Sequence, residues 1–444
     1  MKQTGLRMIG CVLLSIAITA GCGTDKAPTE GGETAKAATP EDTAAKRDAI
    51  MNGTELTLYH PTMTTAEFVT IYGKSIVQKY PNVKIKVLNT KDGKLEELIT
   101  TGTNIDIIGG YTESFLTTMQ NMRVTSDLTG YIKKYDYDLN LWDPSVRQFI
   151  EGYNGGKITA IPHTIQTMAM YYNKDLFSKF GVPFPTDRMT WDDVQEINRK
   201  LTRQDGGVMY WGYDTRNAPT IFSLNQLSLP LNDPKTNQAA FDTEPLKNYM
   251  RKLLDVVTSH GLGVFTGPGN QQDLFAKDMR LAMLSTLNTN FRSFSNPSLN
   301  WDIVKFPTLK ELPGVGPQPQ VPLYFVPNTS KHQEAAFLAL AEITSPEGQR
   351  DLAKNGRVSI LRDPAVQKEF GSLLPELAGK NVQGLIPDKY ASSSPYSEYK
   401  SAAATEMGNA YTAVATGAKD LNTAVREAME AANRTIRDME ATKK

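Results

Sequence analysis

Aromatic and planar polar side chains recur near the predicted ends of strands, and their chemistry suits a polyhydroxylated ligand. Flat aromatic rings pack against the C–H faces of a sugar, while imidazole, amide and hydroxyl groups form hydrogen bonds with its hydroxyls. The candidate ligand-binding residues are His60, Tyr111, Thr112, His163, Gln166, Trp211, Tyr213, Asn288, Asn290 and Phe291. No pattern among them predicts a catalytic group.

Each of these candidates has a structural alternative. Trp211 and Tyr213 stand one residue apart and point to the same side of an extended strand, but Trp211 also fits a strand in the core. Tyr111 follows two glycines, which permit a ligand to approach the backbone closely. His60 follows a predicted strand and is alternatively a hydrogen-bonded loop histidine.

Two charged residues give weaker signals. Arg357 follows Asn355-Gly356 and could reach a hydroxyl or a carboxylate, and Glu113 is similar. For both, a surface salt bridge is the interpretation that the sequence favours.

The alternation of strands and helices indicates which elements position the candidates. A βαβαβ pattern predicts a parallel sheet with right-handed crossovers, whose ligands lie beyond the carboxyl ends of the strands. The pattern comprises strands at 55–59, 83–87 and 105–108 and helices at about 64–80 and 95–99. His60 and the Gly109-Gly110-Tyr111-Thr112 segment lie at such ends.

A second α/β region follows a Gly155-Gly156 turn. Its predicted strands are 158–161 and 168–172, and its predicted helices are 174–180, 191–204, 245–259 and 270–278. Near the C-terminus, apolar residues from Leu421 to Ile436 form one helical stripe, which indicates a helix docked on the body.

The composition excludes several classes of protein. The 444 residues carry 48 basic and 48 acidic side chains, so binding of nucleic acid through phosphate neutralisation is not expected. Two cysteines cannot build a disulfide framework, and the four histidines show no metal-ligand spacing. Without a GxxxxGK[ST] loop either, we expect no cofactor and no metal.

The N-terminus predicts export and a lipid anchor. Residues 1–21 combine a basic start with a short apolar run and end before Cys22. Thr19-Ala20-Gly21-Cys22 resembles the bacterial lipobox, in which the cysteine is lipidated; a plain secretory signal is the alternative. Residues 22–53 are then expected to form the lipidated cysteine and a flexible tether to the cell membrane, on its extracytoplasmic face.

A series of short motifs resembles the family 1 extracellular solute-binding proteins of ABC sugar importers. The motifs are individually weak, but they follow one another in the order found in the family. They are Lys79-Tyr80-Pro81-Asn82-Val83, Gly155-Gly156-Lys157-Ile158, Tyr171-Tyr172-Asn173-Lys174-Asp175-Leu176-Phe177, Thr190-Trp191-Asp192-Asp193 and Thr344-Ser345-Pro346-Glu347-Gly348.

The resemblance implies an α/β, two-lobed periplasmic-binding-protein-like fold of type II, in which each lobe is a mixed sheet flanked by helices. It places hinge crossings near 161–163, 283–285 and 326–328. Lobe one would comprise 54–161 and 286–328, and lobe two 164–283 and 330–444.

The same resemblance implies a receptor rather than an enzyme. It would be a monomer that captures a carbohydrate, an oligosaccharide by first choice, and delivers it to the transmembrane subunits of an ABC permease. Two alternatives stay open from the residues: a secreted carbohydrate-active enzyme, and a binding protein for a non-sugar solute such as a polyamine.

Overall fold

A computed structural model describes residues 40–442, except 111–112, 216, 262–263 and 265–269. The predicted signal segment, the lipidation residue Cys22 and two candidate site residues, Tyr111 and Thr112, lie outside the described residues.

The strands are short and alternate with helices along the chain. In chain order they are β1 (Glu55–Tyr59), β2 (Lys84–Leu88), β3 (Ile107–Gly110), β4 (Ile161–Pro162), β5 (Met168–Asn173), β6 (Arg203–Asp205), β7 (Val208–Thr215), β8 (Leu281–Leu287), β9 (Trp301–Val304), β10 (Val315–Gly316), β11 (Leu323–Phe325) and β12 (Lys389–Tyr390).

The α-helices flank the sheets. They are α1 (Pro40–Met51), α2 (Thr65–Phe68), α3 (Lys74–Lys79), α4 (Leu95–Thr100), α5 (Glu113–Met122), α6 (Thr129–Lys134), α7 (Pro144–Gly152), α8 (Lys174–Lys179), α9 (Trp191–Leu201), α10 (Ala218–Ser223), α11 (Glu244–Thr258), α12 (Gln271–Ala276), α13 (Gln333–Ile343), α14 (Pro346–Lys354), α15 (Pro364–Lys368), α16 (Lys400–Ala415) and α17 (Leu421–Ala441). A π-helical turn, Val69–Gly73, joins α2 to α3.

Two five-stranded mixed sheets define two lobes. The first lobe is built on the order β2-β1-β3-β11-β4, in which β1 pairs in parallel with β2 and β3, and β11 runs antiparallel between β3 and β4. The second lobe is built on β6-β7-β8-β5-β9, with β7 and β8 parallel. The βαβαβ prediction at the start of the first sheet is confirmed.

Local sequence signals explain where several helices begin. Thr64 and Glu67 form a capping box before α2, and Thr190 and Asp193 form one before α9. Ser345 accepts a hydrogen bond from the backbone of Gly348, with proline in the first turn of α14. These caps satisfy backbone N–H groups that have no partner within the helix.

Three neighbouring segments connect the lobes. The chain leaves the first sheet after Pro162 and enters the second at Met168, and Gln166 on this segment exchanges two backbone hydrogen bonds with Gln320, at 2.8 and 2.7 Å. The backbone N–H of Ile165 donates to Val358 O at 2.9 Å. The hinge is therefore a narrow three-stranded ribbon.

The expected lobe boundaries are wrong in their later parts. Residues 283–285 lie within β8, between β5 and β7, rather than at a crossing. Strand β9, expected in lobe one, pairs with β5 in the second sheet. The chain crosses instead between β9 and β11, because β11 completes the first sheet.

The C-terminal part divides between the lobes as well. Helices α13 and α14 pack against α3 of the first lobe, so 330–444 is not one unit of lobe two as expected. Farther along, α16 packs on α10 and α11 of the second lobe, and α17 packs on α16. The apolar stripe of α17 is buried against the body, as the periodicity predicts.

The expected flexible tether is also too long. Residues 40–51, assigned to it from their composition, form α1, which packs against α13. Met51 is fully buried, and Arg47 donates from Nη2 to the backbone O of Tyr135 at 3.0 Å. The apolar end of this helix and one long-range hydrogen bond fix it to the first lobe.

Candidate functional site

At the carboxyl end of the first sheet, the predicted site residue His60 lies against the central strands. His60 follows β1, Gly109 belongs to β3, and Tyr324 lies on the neighbouring β11. A Cβ atom at Gly109 would lie 2.9 Å from Tyr324 Cε1 and 3.0 Å from His60 Cδ2. Only glycine leaves room for both rings at this point.

A second predicted histidine completes a cluster of rings. His163 stacks on Tyr324 with ring centroids 4.3 Å apart, and Tyr72 meets His163 edge-on at 5.1 Å. Tyr72 comes from the π-helical turn, a feature that often marks functional positions. We call His60, Tyr72, His163 and Tyr324 the ring floor; each is between 1% and 6% exposed.

Both histidines of the ring floor are neutral at pH 7. Burial, with a contribution from the positive charge of Arg357, lowers the pKa of His60 to about 4. Burial also holds the pKa of His163 well below its usual value. His60 Nδ1 accepts from the backbone N–H of Met63 at 3.3 Å, so its proton belongs on Nε2.

Two arginines stand beside the ring floor. Arg357, half-buried after α14, places its Cζ 5.9 Å from the centre of the Tyr72 ring. Arg292, from the second lobe, donates from Nη2 to the carbonyl oxygens of Asn355 and Gly356, the latter at 3.1 Å. The second lobe thus reaches the first at this point.

The second lobe contributes amides and a phenyl ring next to Arg292. Asn288 is 1% exposed and its Oδ1 accepts from the backbone of Thr167 at 3.3 Å. Asn290 Nδ2 donates to Thr286 Oγ1 at 2.6 Å. Phe291 is 1% exposed, and its Cζ would lie 3.2 Å from a Cβ atom on Gly356.

Buried polar atoms near the hinge retain hydrogen-bonding capacity. Within the described residues, Asn288 Nδ2 and Thr167 Oγ1 are buried without a hydrogen-bond partner. Such atoms are costly unless something satisfies them. Gln166 precedes Thr167 on the hinge, and its side chain is half-buried.

The structure does not bring every candidate to this place. Tyr213 is 4% exposed, packs edge-on against Trp191 at 5.8 Å and pairs its hydroxyl with Ser285 Oγ at 2.9 Å. It is a core residue of the second lobe. Trp211 is half-buried, with its indole 6.0 Å from the ring of His260, and stays a prediction.

Sequence reasoning missed Tyr72 and Tyr324 of the ring floor and Arg292 beside it, and it gave Arg357 only as a weaker candidate. Tyr72 lies on a helix whose pattern explains it as core, and Tyr324 lies inside a strand. The only signal pointing to Arg357 was its position after Asn355-Gly356, where Gly356 takes a φ of +65°.

Comparison with known proteins identifies the family. The profile of the bacterial extracellular solute-binding protein family matches residues 66–350, more than half of the chain. The chain belongs to this family. The resemblance carried by the sequence motifs is thereby confirmed.

Two curated relatives of this solute-binding protein are arabinooligosaccharide-binding proteins. The one from Bacillus subtilis is 24% identical over 236 residues, which are 50% of this chain and 47% of that protein. The one from Halalkalibacterium halodurans is 26% identical over 134 residues, 29% of each chain. The chain spans about half or less of the length of the curated relatives it matches.

Solved structures confirm the two-lobed fold. A sugar transporter protein from Rhizobium etli, in an open conformation, superposes with a TM-score of 0.69 at 22% identity and covers 85% of this chain and 98% of its own. A cyclic α-maltosyl-1,6-maltose binding protein from Arthrobacter globiformis has a TM-score of 0.69 at 17% identity, with 87% and 100% covered. At these identities the similarity shows the fold alone.

Neither a metal-binding cluster nor a membrane-spanning helix occurs among the described residues. Among them, no group of three or more histidine, cysteine or acidic side chains is arranged to hold a metal ion. None of the helices described has the length and hydropathy needed to cross a bilayer.

Proposed function

We propose that this solute-binding protein captures an oligosaccharide between its two lobes, outside the cytoplasm, and delivers it unchanged to an ABC permease. The observation that carries the proposal is the ring floor of the first lobe. Arg357 lies over the Tyr72 ring of this floor. Arg292 of the second lobe donates to the backbone of Asn355 and Gly356, immediately before Arg357.

The ring floor can recognise a polyhydroxylated ligand without any bond being broken. Its imidazole and phenol groups offer donors and acceptors, and their rings offer apolar edges to sugar C–H groups. Burial keeps His60 and His163 neutral, and because His60 Nδ1 already accepts from the backbone, His60 offers its Nε2–H to a ligand as a donor. Further contacts are proposed for Tyr111, Thr112, Gln166 and Trp211.

Closure would follow from the ligand's higher affinity for the closed lobes, and the permease would recognise that closed state. The hinge supports this motion because few backbone hydrogen bonds join its segments. Ligand groups reaching Asn288 Nδ2 and Thr167 Oγ1 would satisfy atoms that are otherwise without partners among the described residues.

We also propose that the protein is a monomer tethered through lipidated Cys22 to the extracytoplasmic face of the cell membrane. The support is the small-residue segment before the cysteine and the preceding apolar run. By this proposal the tether ends before α1, since α1 already packs on the first lobe.

The experiment that tests the function is a thermal-shift screen of the full chain against oligosaccharides, monosaccharides and polyamines, followed by calorimetry. A ligand at 100 times its dissociation constant adds about 2.7 kcal/mol of stability. The proposal expects an oligosaccharide to stabilise the protein and to be recovered intact. Turnover of the ligand would assign the protein to the enzymes, and a polyamine response alone would reject the carbohydrate.

A further inference from the structure

The two arginines beside the ring floor differ from the other cations of this protein. Many described lysines and arginines form salt bridges with carboxylates at the surface. Neither Arg292 nor Arg357 forms a salt bridge with a described residue. The sequence favours such a bridge for Arg357, but none forms within the described part of the chain.

The Arg357 side chain is held in place by ring contact, but its hydrogen-bonding capacity is not fully used. Its guanidinium lies over the Tyr72 ring, with Cζ 5.9 Å from the centroid. Its Nε is buried and, among the described residues, has no hydrogen-bond partner. A buried donor on a charged group is among the more expensive polar groups to leave unpaired.

Arg292 approaches the same point from the second lobe. Its Cζ lies 5.0 Å from the Phe291 ring centre, and its Nη2 donates to two carbonyl oxygens that carry no net charge. Partial burial and the positive charge of Arg357 together lower the pKa of Arg292 to about 10. A Cβ atom on Gly356 would lie 3.0 Å from Arg292 Nη2, so the Arg292 guanidinium stands against the residue that precedes Arg357, and the two positive charges repel each other.

The acidic side chains described near the two arginines do not form ion pairs with them. Glu67 accepts hydrogen bonds from the backbone N–H and the hydroxyl of Thr64, each at 2.8 Å, as a helix cap. Glu376 is exposed and interacts with Arg292 only at long range. The side chain of Glu113 lies outside the described part of the chain.

Closure of the lobes would remove water from two like charges. Removing water from the two guanidinium groups is unfavourable unless an anion enters with the ligand. The anion offsets this cost best when it also accepts hydrogen bonds from them. Planar guanidinium groups match carboxylate and phosphate oxygens in geometry and charge. A neutral sugar would leave the repulsion uncompensated.

We infer that the oligosaccharide carries an anionic group, a carboxylate or a phosphate, that binds between Arg292 and Arg357. This inference rests on the proposed function, because it names the class of ligand for the same cleft. Arg357 supplies the unsatisfied Nε, and Arg292 adds a charge from the opposing lobe. The pair would thus select acidic over neutral sugars and favour closure.

The test is calorimetric titration of the full chain with matched oligosaccharides. Uronic acid oligosaccharides are compared with carboxyl-reduced forms of the same linkage and length, and a second arm uses sugar phosphates with their unphosphorylated counterparts. We expect the acidic member of one arm to bind at least about tenfold more tightly, with an affinity that falls as salt rises. The arm that responds identifies the anion.

Variants connect this preference to the arginines. Arg357→Gln should weaken binding of the acidic ligand by roughly 10- to 150-fold and leave the neutral counterpart nearly unchanged. Arg357→Lys keeps the charge and should retain part of the preference, and Arg292→Gln should reduce it without abolishing it. Unchanged melting temperatures of the free variants would show that they fold.

Two other outcomes would overturn the inference. If the neutral counterparts bind as tightly as the acidic ligands, or if Arg357→Gln weakens both equally, the arginines bind hydroxyls; the proposed function stands but the anionic ligand is rejected. If neither acidic nor neutral oligosaccharides bind, while a non-sugar solute does, both the inference and the proposed function fail.

Discussion

The substitution Gly109→Ala tests the ring floor with a single methyl group. Gly109 does not have a positive φ, so alanine meets no backbone strain there, and the effect is steric alone. The new Cβ would lie 2.9 Å from Tyr324 Cε1 and 3.0 Å from His60 Cδ2, whereas carbon atoms prefer about 3.5–4.0 Å. One ring must move by about 0.5 Å.

Neither ring can move freely. Tyr324 is 1% exposed and stacks on His163, and His60 is 5% exposed with its Nδ1 engaged by backbone N–H groups. Overpacking of this kind costs about 1–3 kcal/mol, and the lower chain entropy of unfolded alanine offsets up to about 1 kcal/mol. We therefore expect a net loss of about 1–2 kcal/mol in the free energy of unfolding.

Urea denaturation measures this loss, and calorimetry with the identified ligand measures the effect on binding. Displacing the floor by about 0.5 Å should weaken binding by at least about 1 kcal/mol, since recognition tolerates little misplacement. The matched control is Gly130→Ala in α6, where a Cβ meets nothing within 4 Å. It should leave affinity unchanged and stabilise slightly. Wild-type stability and affinity in Gly109→Ala would refute the geometry described for the floor.

Four further outcomes are expected. The pKa of His60 is about 4 in the folded state and near 6.5 in the unfolded state. The contribution of the neutral imidazole to the free energy of unfolding is therefore fully present above pH 6.5 and is lost as the pH falls from 6.5 to 4. This loss, up to about 3 kcal/mol, should shrink in His60→Gln, and an identical pH profile of unfolding in the variant would contradict it. Trp211→Ala should weaken oligosaccharide binding by about 1–3 kcal/mol if the indole stacks on the ligand; unchanged affinity would assign it to the scaffold. Tyr213→Phe should lower stability by about 1 kcal/mol through the lost Ser285 hydrogen bond while leaving affinity intact, and a loss of affinity would return Tyr213 to the site. Cys22→Ser should release the protein from washed membranes with unchanged affinity, and persistent membrane binding would reject the lipid anchor.

Local patterns in the sequence predict local structure well in this protein. Thr64 and Thr190 mark helix starts because each cap is formed within four residues, and the alternation at 55–88 predicts β1, α3 and β2. Local sequence patterns fail where a strand pairs with a partner that is distant in the sequence. The residues of β9 do not indicate that this strand pairs with β5 rather than with the first sheet, since its buried residues suit either partner.

The candidate site shows the same division. The sequence predicts His60 because it follows a strand, and it predicts His163 because it flanks the crossing that the family resemblance implies; both positions are readable from local sequence. Tyr213 was misplaced because alternation tells that two side chains share a face but not whether that face meets ligand or core. Arg357 and Arg292 meet only in three dimensions, through Asn355 and Gly356, so their importance required the structure.

The place of β11 in the first sheet governs when this lobe can be completed. Among the described strands, β4 pairs only with β11, and β11 also pairs with the edge of β3. In the sequence, however, β11 comes after all five strands of the second sheet. A chain that emerges N-terminus first therefore holds an unfinished first sheet, with two strand edges unpaired, until Leu323 is free. Such late, long-range closure slows folding and exposes the intermediate to aggregation and to chaperones. A truncation anywhere before β11 should therefore leave the first sheet incomplete and remove Tyr324 from the ring floor.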